Sequence, residues 1–102
     1  MGIDVYLEDE TGEKLESIYD PTSILPRLLP SHADKSSQCL RFIDPYGVTV
    51  FNGLQMPFLL EELETLLQRT QGQEAKEFVA RIIELAQRTQ NDVHLYLKFN
   101  GD

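Results

Sequence analysis

The sequence predicts an α+β fold: a sheet of about five strands, antiparallel or mixed, with two amphipathic helices packed on one face. Near both ends of the sequence, apolar residues alternate with polar ones, which is the period of a strand with one buried face. Between residues 57 and 90, large apolar residues recur at helical spacing. With 102 residues, 41% of them hydrophobic, we expect residues 1–102 to form a single domain with one core.

The first 20 residues predict a β-hairpin. Ile3, Val5 and Leu7 alternate with the residues of a polar face, as in a half-buried strand. Gly12 can adopt the positive φ that a tight turn requires, so residues 14–19 are interpreted as the returning arm. This arm alternates less regularly than the first.

Residues 21–37 predict an irregular segment of short turns. Pro26 and Pro30 prevent a long helix from forming there. The segment nevertheless contains four large aliphatic residues, which are Ile24, Leu25, Leu28 and Leu29. We expect them to plug one end of the core; the alternative is an apolar patch on the surface.

The remaining chain predicts two strands, two helices and a last strand. Residues 38–43 and 48–51 are interpreted as strands around the turn Asp44–Gly47. Pro57 can open a leucine-rich helix that Gly72 caps, and a second helix spans Ala75 to Thr89 before Asn91-Asp92 ends it. Residues 93–99 alternate again. The predicted order is therefore ββ, irregular segment, ββ, αα, β.

The outer faces of the first and last predicted strands are complementary in charge. Asp4, Tyr6 and Glu8 would lie on one, and His94, Tyr96 and Lys98 on the other. Opposite charges on adjacent strands stabilise a sheet by about 0.2 to 1 kcal/mol for each pair. We therefore expect these two strands to be neighbours.

The net charge of −8 is concentrated near the start of the sequence. Seven of the 17 acidic residues lie within residues 1–20, against a single lysine. Such a field repels nucleic-acid phosphates, so we expect no direct nucleic-acid binding. The same field can steer a basic protein partner toward the molecule.

No residue pattern indicates catalysis. Cys39 with His32 or His94 is the only pairing that could supply a nucleophile and a base, and Cys39 is better explained as a small buried hydrophobic residue. The sequence contains no zinc or calcium signature and no glycine-rich phosphate loop. We expect no cofactor, and the balance is against an enzyme.

The sequence also indicates a compartment. It contains no apolar stretch typical of a signal peptide or of a membrane span, and its single cysteine cannot form an internal disulfide bond. We therefore expect a cytoplasmic protein that does not associate with a membrane.

The leading functional hypothesis is a non-enzymatic, acidic protein-binding module, of the kind seen in immunity proteins and other inhibitors of basic toxins. The candidate partner-binding residues are Glu8, Glu10, Glu13, Glu16, Leu25 and Leu28. One alternative is a small ligand-binding or enzymatic domain with a pocket between the irregular segment and the sheet, using His94, Tyr96 or Tyr6. A third interpretation is a homodimeric accessory domain, paired through an edge strand or the leucine-rich helix.

Overall fold

The computed structural model describes residues 2–101 and confirms the α+β class. It contains the strands β1 (Ile3–Asp9), β2 (Lys14–Ile18), β3 (Val48–Phe51) and β4 (Leu95–Gly101), and the helices α1 (Ile24–Leu28), α2 (Met56–Arg69) and α3 (Gln73–Gln90). Short 3₁₀ turns span Leu40–Phe42 and Gly53–Gln55. All strand pairs are antiparallel, and the order across the sheet is β2-β1-β4-β3.

The first and last strands lie side by side at the centre of the sheet, as their charges predicted. β1 and β4 pair along their whole length, from Ile3 opposite Gly101 to Asp9 opposite Leu95. On the outer face, the Nζ atom of Lys98 lies 3.4 Å from a carboxylate oxygen of Glu8.

The segment predicted as the third strand is a 3₁₀ turn, so the sheet has four strands. The carboxylate of Glu62 in α2 accepts hydrogen bonds from the backbone N–H groups of Gln38, Cys39 and Leu40, at 2.9, 2.7 and 3.3 Å. These donors are therefore not available to a neighbouring strand. The predicted turn Asp44–Gly47 does form, with Gly47 N–H donating to Asp44 O at 3.3 Å, and it leads from the 3₁₀ turn into β3.

Helices α2 and α3 cover the inner face of the sheet. Fully buried residues of β1 and β4, such as Leu7 and Leu97, share the core with Leu63 of α2 and Ile82 of α3. The rings of Phe51 and Phe99 pack edge to face across β3 and β4, with their centroids 5.7 Å apart. Among residues 2–101, no helix covers the other face of the sheet, where Val48 and Val50 are exposed.

Gly72 lies at the start of α3, whereas the sequence indicated the end of α2. Helix α2 ends earlier, where the backbone N–H and the hydroxyl of Thr70 both donate to Leu66 O, at 2.9 and 2.6 Å. Gly72 follows with a φ of 93°, a left-handed conformation that reverses the chain into α3.

The irregular segment packs against the core, as expected for a plug. Its anchor is Asp20, whose buried carboxylate accepts the N–H groups of Ile3, Ile24 and Leu25 at 3.1, 2.7 and 3.0 Å. Ile24 and Leu25 are buried, and the remaining two aliphatic residues of the segment are partly buried against the core. Among residues 2–101, no helix combines the length and apolar composition that crossing a bilayer requires.

Candidate interaction surface

The tip of the β1–β2 hairpin is held rigidly by one carboxylate. Asp9 accepts hydrogen bonds from the N–H and hydroxyl groups of Thr11, at 2.9 and 2.6 Å, and from Glu13 N–H at 3.0 Å. The Thr11 hydroxyl, followed by the backbone N–H of Glu13, lowers the pKa of Asp9. The tip therefore presents a charged carboxylate on an ordered turn.

Three of the four glutamates predicted to bind a partner make ion pairs within the chain. Glu8 lies 3.4 Å from Lys98, Glu10 lies 3.1 Å from His94, and Glu16 lies 3.1 Å from Arg88. The side chain of Glu8 is also largely buried. The side chain of Glu10 is 60% exposed, and that of Glu16 is 50% exposed. The pairs with Lys98 and Arg88 reduce the local negative charge, and the pair with His94 does so when His94 is protonated.

Glu13 is exposed at the hairpin tip, and no ion pair within residues 2–101 involves it. Glu10, in the same turn, reaches across to His94, the residue directly before β4. There Asp92 accepts the backbone N–H of His94 at 2.9 Å. We call the surface formed by Asp9, Glu10, Glu13 and Asp92 the acidic end of the molecule.

The pKa of His94 is raised by this environment. The hydrogen bond to Glu10 is the main cause, followed by the negative charge of Glu10, and Asp92 adds to it. Protonation of His94 therefore places a positive charge inside the acidic end, next to Glu10.

Two of the most exposed aliphatic side chains lie next to the acidic end. Leu54 is 85% exposed and Val93 is 83% exposed. Both line an open groove of about 330 Å³, together with Asn52, Gly53, Gln90 and Tyr96. Val93 directly precedes His94, so the groove adjoins the acidic end.

A capping box fixes the backbone on the Leu54 side of this groove. Asn52 Oδ1 accepts the N–H groups of Leu54 and Gln55, at 3.0 and 3.3 Å, and Gln55 Oε1 accepts Asn52 N–H at 2.9 Å. The spacing Asn52-x-x-Gln55 is a local sequence signature from which this cap could have been predicted. Val93 was predicted to lie in the last strand, but that strand begins only at Leu95.

The two predicted aliphatic partner residues lie elsewhere. Leu25 is fully buried, so this part of the prediction is corrected: its side chain packs in the core and presents no surface to a partner. Leu28 is half-buried and lines a separate groove of about 250 Å³ between the irregular segment and α2, which Asp34, Glu61 and Arg69 also line.

The ligand-binding alternative invoked His94, Tyr96 and Tyr6 as polar groups. None of these residues lines the groove beside Leu28. Tyr96 lies in the groove beside the acidic end. Tyr6 is covered on the outer face of the sheet by Lys14, whose Nζ atom lies 4.2 Å from the ring centroid, and by Tyr19, which packs edge to face against it. Burial is the main cause of the raised pKa of Tyr6.

The candidate nucleophile is buried and protonated. Burial, followed by the charge of Glu62, raises the pKa of Cys39 to about 11, so the thiolate is scarce near neutral pH. His32 is exposed, with its Nδ1 atom 2.9 Å from Arg41 O, and His94 contacts Glu10. Within the described part of the chain, Cys39 is hydrogen-bonded to neither histidine.

Residues 2–101 contain no group of three or more His, Cys, Asp or Glu side chains arranged to hold a metal ion. No protein-family model matches this sequence, and no curated protein and no solved structure is significantly similar to it.

Proposed function

We propose that this protein is a non-enzymatic binding module whose acidic end engages a basic surface on another protein. The observation that carries the proposal is the exposure of Leu54 and Val93 in one groove, next to His94 and its partner Glu10. Apolar anchors surrounded by charged groups are the usual composition of a protein-binding surface, because the anchors supply most of the affinity and the rim supplies specificity.

The ordered backbone around these residues supports the proposal. Asp9 fixes the hairpin tip, and the capping box of Asn52 fixes the groove, so a partner meets a largely preformed surface. Binding to a preformed surface loses less conformational entropy than binding to a mobile loop.

The charge of the acidic end sets the kind of partner. A basic surface would be attracted before contact, and its association rate would rise by roughly 10- to 1,000-fold over that of a neutral one. A basic enzyme or toxin that this protein inhibits is the partner class that we favour. In this role the protein acts in the cytoplasm, where the Cys39 thiol stays reduced.

The proposal is tested by affinity capture from a lysate of the source cells, with bound proteins quantified by mass spectrometry. One variant removes the charge (Glu10→Gln with Glu13→Gln), and a second removes the anchors (Leu54→Ser with Val93→Ser). The matched control, Glu64→Gln with Glu84→Gln, removes the same charge from exposed positions of α2 and α3.

We expect one basic protein to be retained by the wild type and the control but lost with both surface variants. High salt should also release it, because exposed charges are screened over about 10 Å at 0.1 M ionic strength. Equal retention by the control and the surface variants, or capture of no basic protein at low salt, would contradict the proposal.

A further inference from the structure

Strand β3 has a free edge with unused backbone hydrogen-bonding groups. Gly101 N–H donates to Gly47 O at 2.7 Å, which makes these two residues a hydrogen-bonded pair of the β3–β4 ladder. Because hydrogen-bonded and non-hydrogen-bonded pairs alternate in antiparallel strands, Thr49 and Phe51 direct their backbone groups toward β4. Val48 and Val50 therefore direct theirs away from the sheet, and within residues 2–101 no other segment bonds to them.

The side chains of the same two residues are exposed on the uncovered face of the sheet. Val48 is 57% exposed and Val50 is 50% exposed, whereas Phe51 points into the core. Soluble proteins usually protect an edge strand with a charged residue, a proline or a bulge. Val48–Phe51 contains no charged residue or proline, and its pairing with β4 is regular.

We propose that the free edge of β3 pairs with β3 of a second copy of this chain, which gives a two-fold symmetric dimer with a continuous eight-stranded antiparallel sheet. In the symmetric register, Thr49 lies on the two-fold axis and Val48 lies opposite Val50 of the second copy. Both residues direct their N–H and C=O groups outward, so the register forms four backbone hydrogen bonds. The four valines then pack together on one face.

The distribution of charge favours a second copy of this chain as the molecule that pairs with the free edge of β3. The sheet order β2-β1-β4-β3 places the hairpin of β1 and β2, here called the acidic hairpin, at the opposite edge from β3. Two copies joined through their uncharged β3 strands therefore keep their acidic hairpins far apart. A basic partner, by contrast, would find no carboxylate on β3.

The exposed residues around β3 extend the contact beyond the strand. Phe42 and Tyr46 precede the strand, and both are more than half exposed. A strand of four residues is short, and stable interfaces bury about 800 Å² on each partner. We therefore expect a reversible dimer that forms as the protein concentration rises.

The dimer is independent of the proposed binding of a basic partner, and salt distinguishes the two. Each copy carries a net charge of −8, so screening of their mutual repulsion should strengthen the dimer. Screening should weaken the binding of a basic partner to the acidic end. The two proposals can therefore fail separately.

Analytical ultracentrifugation over a wide range of protein and salt concentrations tests the dimer. Val50→Lys places a lysine from each copy at the interface and should raise the dissociation constant at least about tenfold, equivalent to 1.4 kcal/mol. Leu15→Lys is the matched control, because it adds the same charge to an exposed aliphatic position of β2, at the opposite edge. Circular dichroism checks that both variants are folded.

A cysteine pair tests the register. Residues opposite each other in a hydrogen-bonded pair have Cα atoms about 5.5 Å apart, within the range that a disulfide spans. A mixture of Val48→Cys and Val50→Cys chains should therefore cross-link under mild oxidation far more than either variant alone.

The native thiol of Cys39 is buried and should not contribute to this cross-linking. A chain that stays monomeric at all concentrations and salt levels, a dimer weakened equally by Leu15→Lys, or equal cross-linking of the single variants would each overturn the proposal.

Discussion

A single carboxylate, that of Glu62, organises residues 37–40. It accepts the Ser37 hydroxyl at 2.5 Å as well as three consecutive backbone N–H groups. Hydrogen bonds to a charged group contribute about 1.5 to 3 kcal/mol each at most, and their donors are costly to leave without a partner. The hydrogen bonds to Glu62 therefore take the place of the inter-strand hydrogen bonds that the sequence pattern suggested for this segment.

Glu62→Ala should lower the free energy of unfolding by about 2 to 4 kcal/mol, because several donors lose their acceptor at once. Urea denaturation measures this loss. Glu61→Ala, at an exposed neighbouring position, should change the free energy of unfolding by no more than about 0.5 kcal/mol. A similar small change for both variants would show that the hydrogen bonds of Glu62 contribute little.

The Glu10–His94 pair makes part of the stability depend on pH. Because the folded-state pKa of His94 is raised, the pair stabilises the fold fully below the unfolded pKa of about 6.5. This stabilisation is lost as the pH rises through the folded pKa, where His94 becomes neutral. Basic partners should then meet a more negative acidic end at the higher pH.

Glu10→Gln should lower the pKa of His94, measured by NMR titration of its imidazole protons. The elevation should disappear, because the remaining causes are desolvation, which lowers the pKa of His94, and the smaller opposing effect of Asp92. Glu13→Gln is the control, since Glu13 makes no hydrogen bond to His94. The destabilisation caused by Glu10→Gln should also be largest below about pH 6.5. An unchanged titration of His94 in Glu10→Gln would refute this origin of its raised pKa.

At the scale of elements, the predictable parts of the fold are those with a local signal. The alternation of Ile3, Val5 and Leu7 and the helical period of residues 75–89 were sufficient to predict β1 and α3. Residues 38–43 have a strand-like pattern, but their conformation depends on Glu62, more than 20 residues away in the sequence. No local pattern contains that information.

The same distinction applies to the candidate interaction surface. The position of the acidic hairpin was predictable, since it follows from the strand and turn pattern of the first 20 residues. The pairing of Glu10 with His94 and of Glu16 with Arg88 depends on tertiary contacts more than 70 residues apart in the sequence. The exposure of Leu54 and Val93 likewise depends on where the neighbouring elements end.

The turn that precedes β3 touches the end of β4 at a position that only glycine fits. A Cβ atom on Gly101 would lie 2.2 Å from Pro45 O and 2.8 Å from Asp44 O, and both of these are backbone atoms. The close approach also allows Gly101 N–H to reach Gly47 O. Gly101 therefore holds the turn and the start of β3 against β4.

Gly101→Ala should lower the free energy of unfolding by about 1 to 3 kcal/mol, the usual cost of overpacking. Faster amide hydrogen exchange at Thr49 should accompany it, because its ladder with β4 is loosened. Gly53→Ala is the control, since the nearest atom would be 3.5 Å from the added Cβ, an ordinary contact. Equal effects of the two substitutions would argue against a close approach at Gly101.

On the scale of the whole molecule, the sheet separates two surfaces of different character. Its β2 edge belongs to the acidic hairpin, whereas its β3 edge is uncharged and apolar. In the proposed dimer, the β1–β2 hairpin of each copy lies at an outer edge of the eight-stranded sheet. The net charge of the sequence could not reveal this separation, because it depends on the order of the strands.

The central position of β1 and β4 also has a consequence for how the chain folds. These neighbouring strands lie at opposite ends of the sequence, so their pairing requires the closure of a loop that contains almost all of the other elements. Sheets that depend on such distant contacts form slowly, whereas the adjacent helices α2 and α3 can associate early. The sheet is completed only when β4 inserts between β1 and β3, and until then the inner edges of both strands are exposed to other chains.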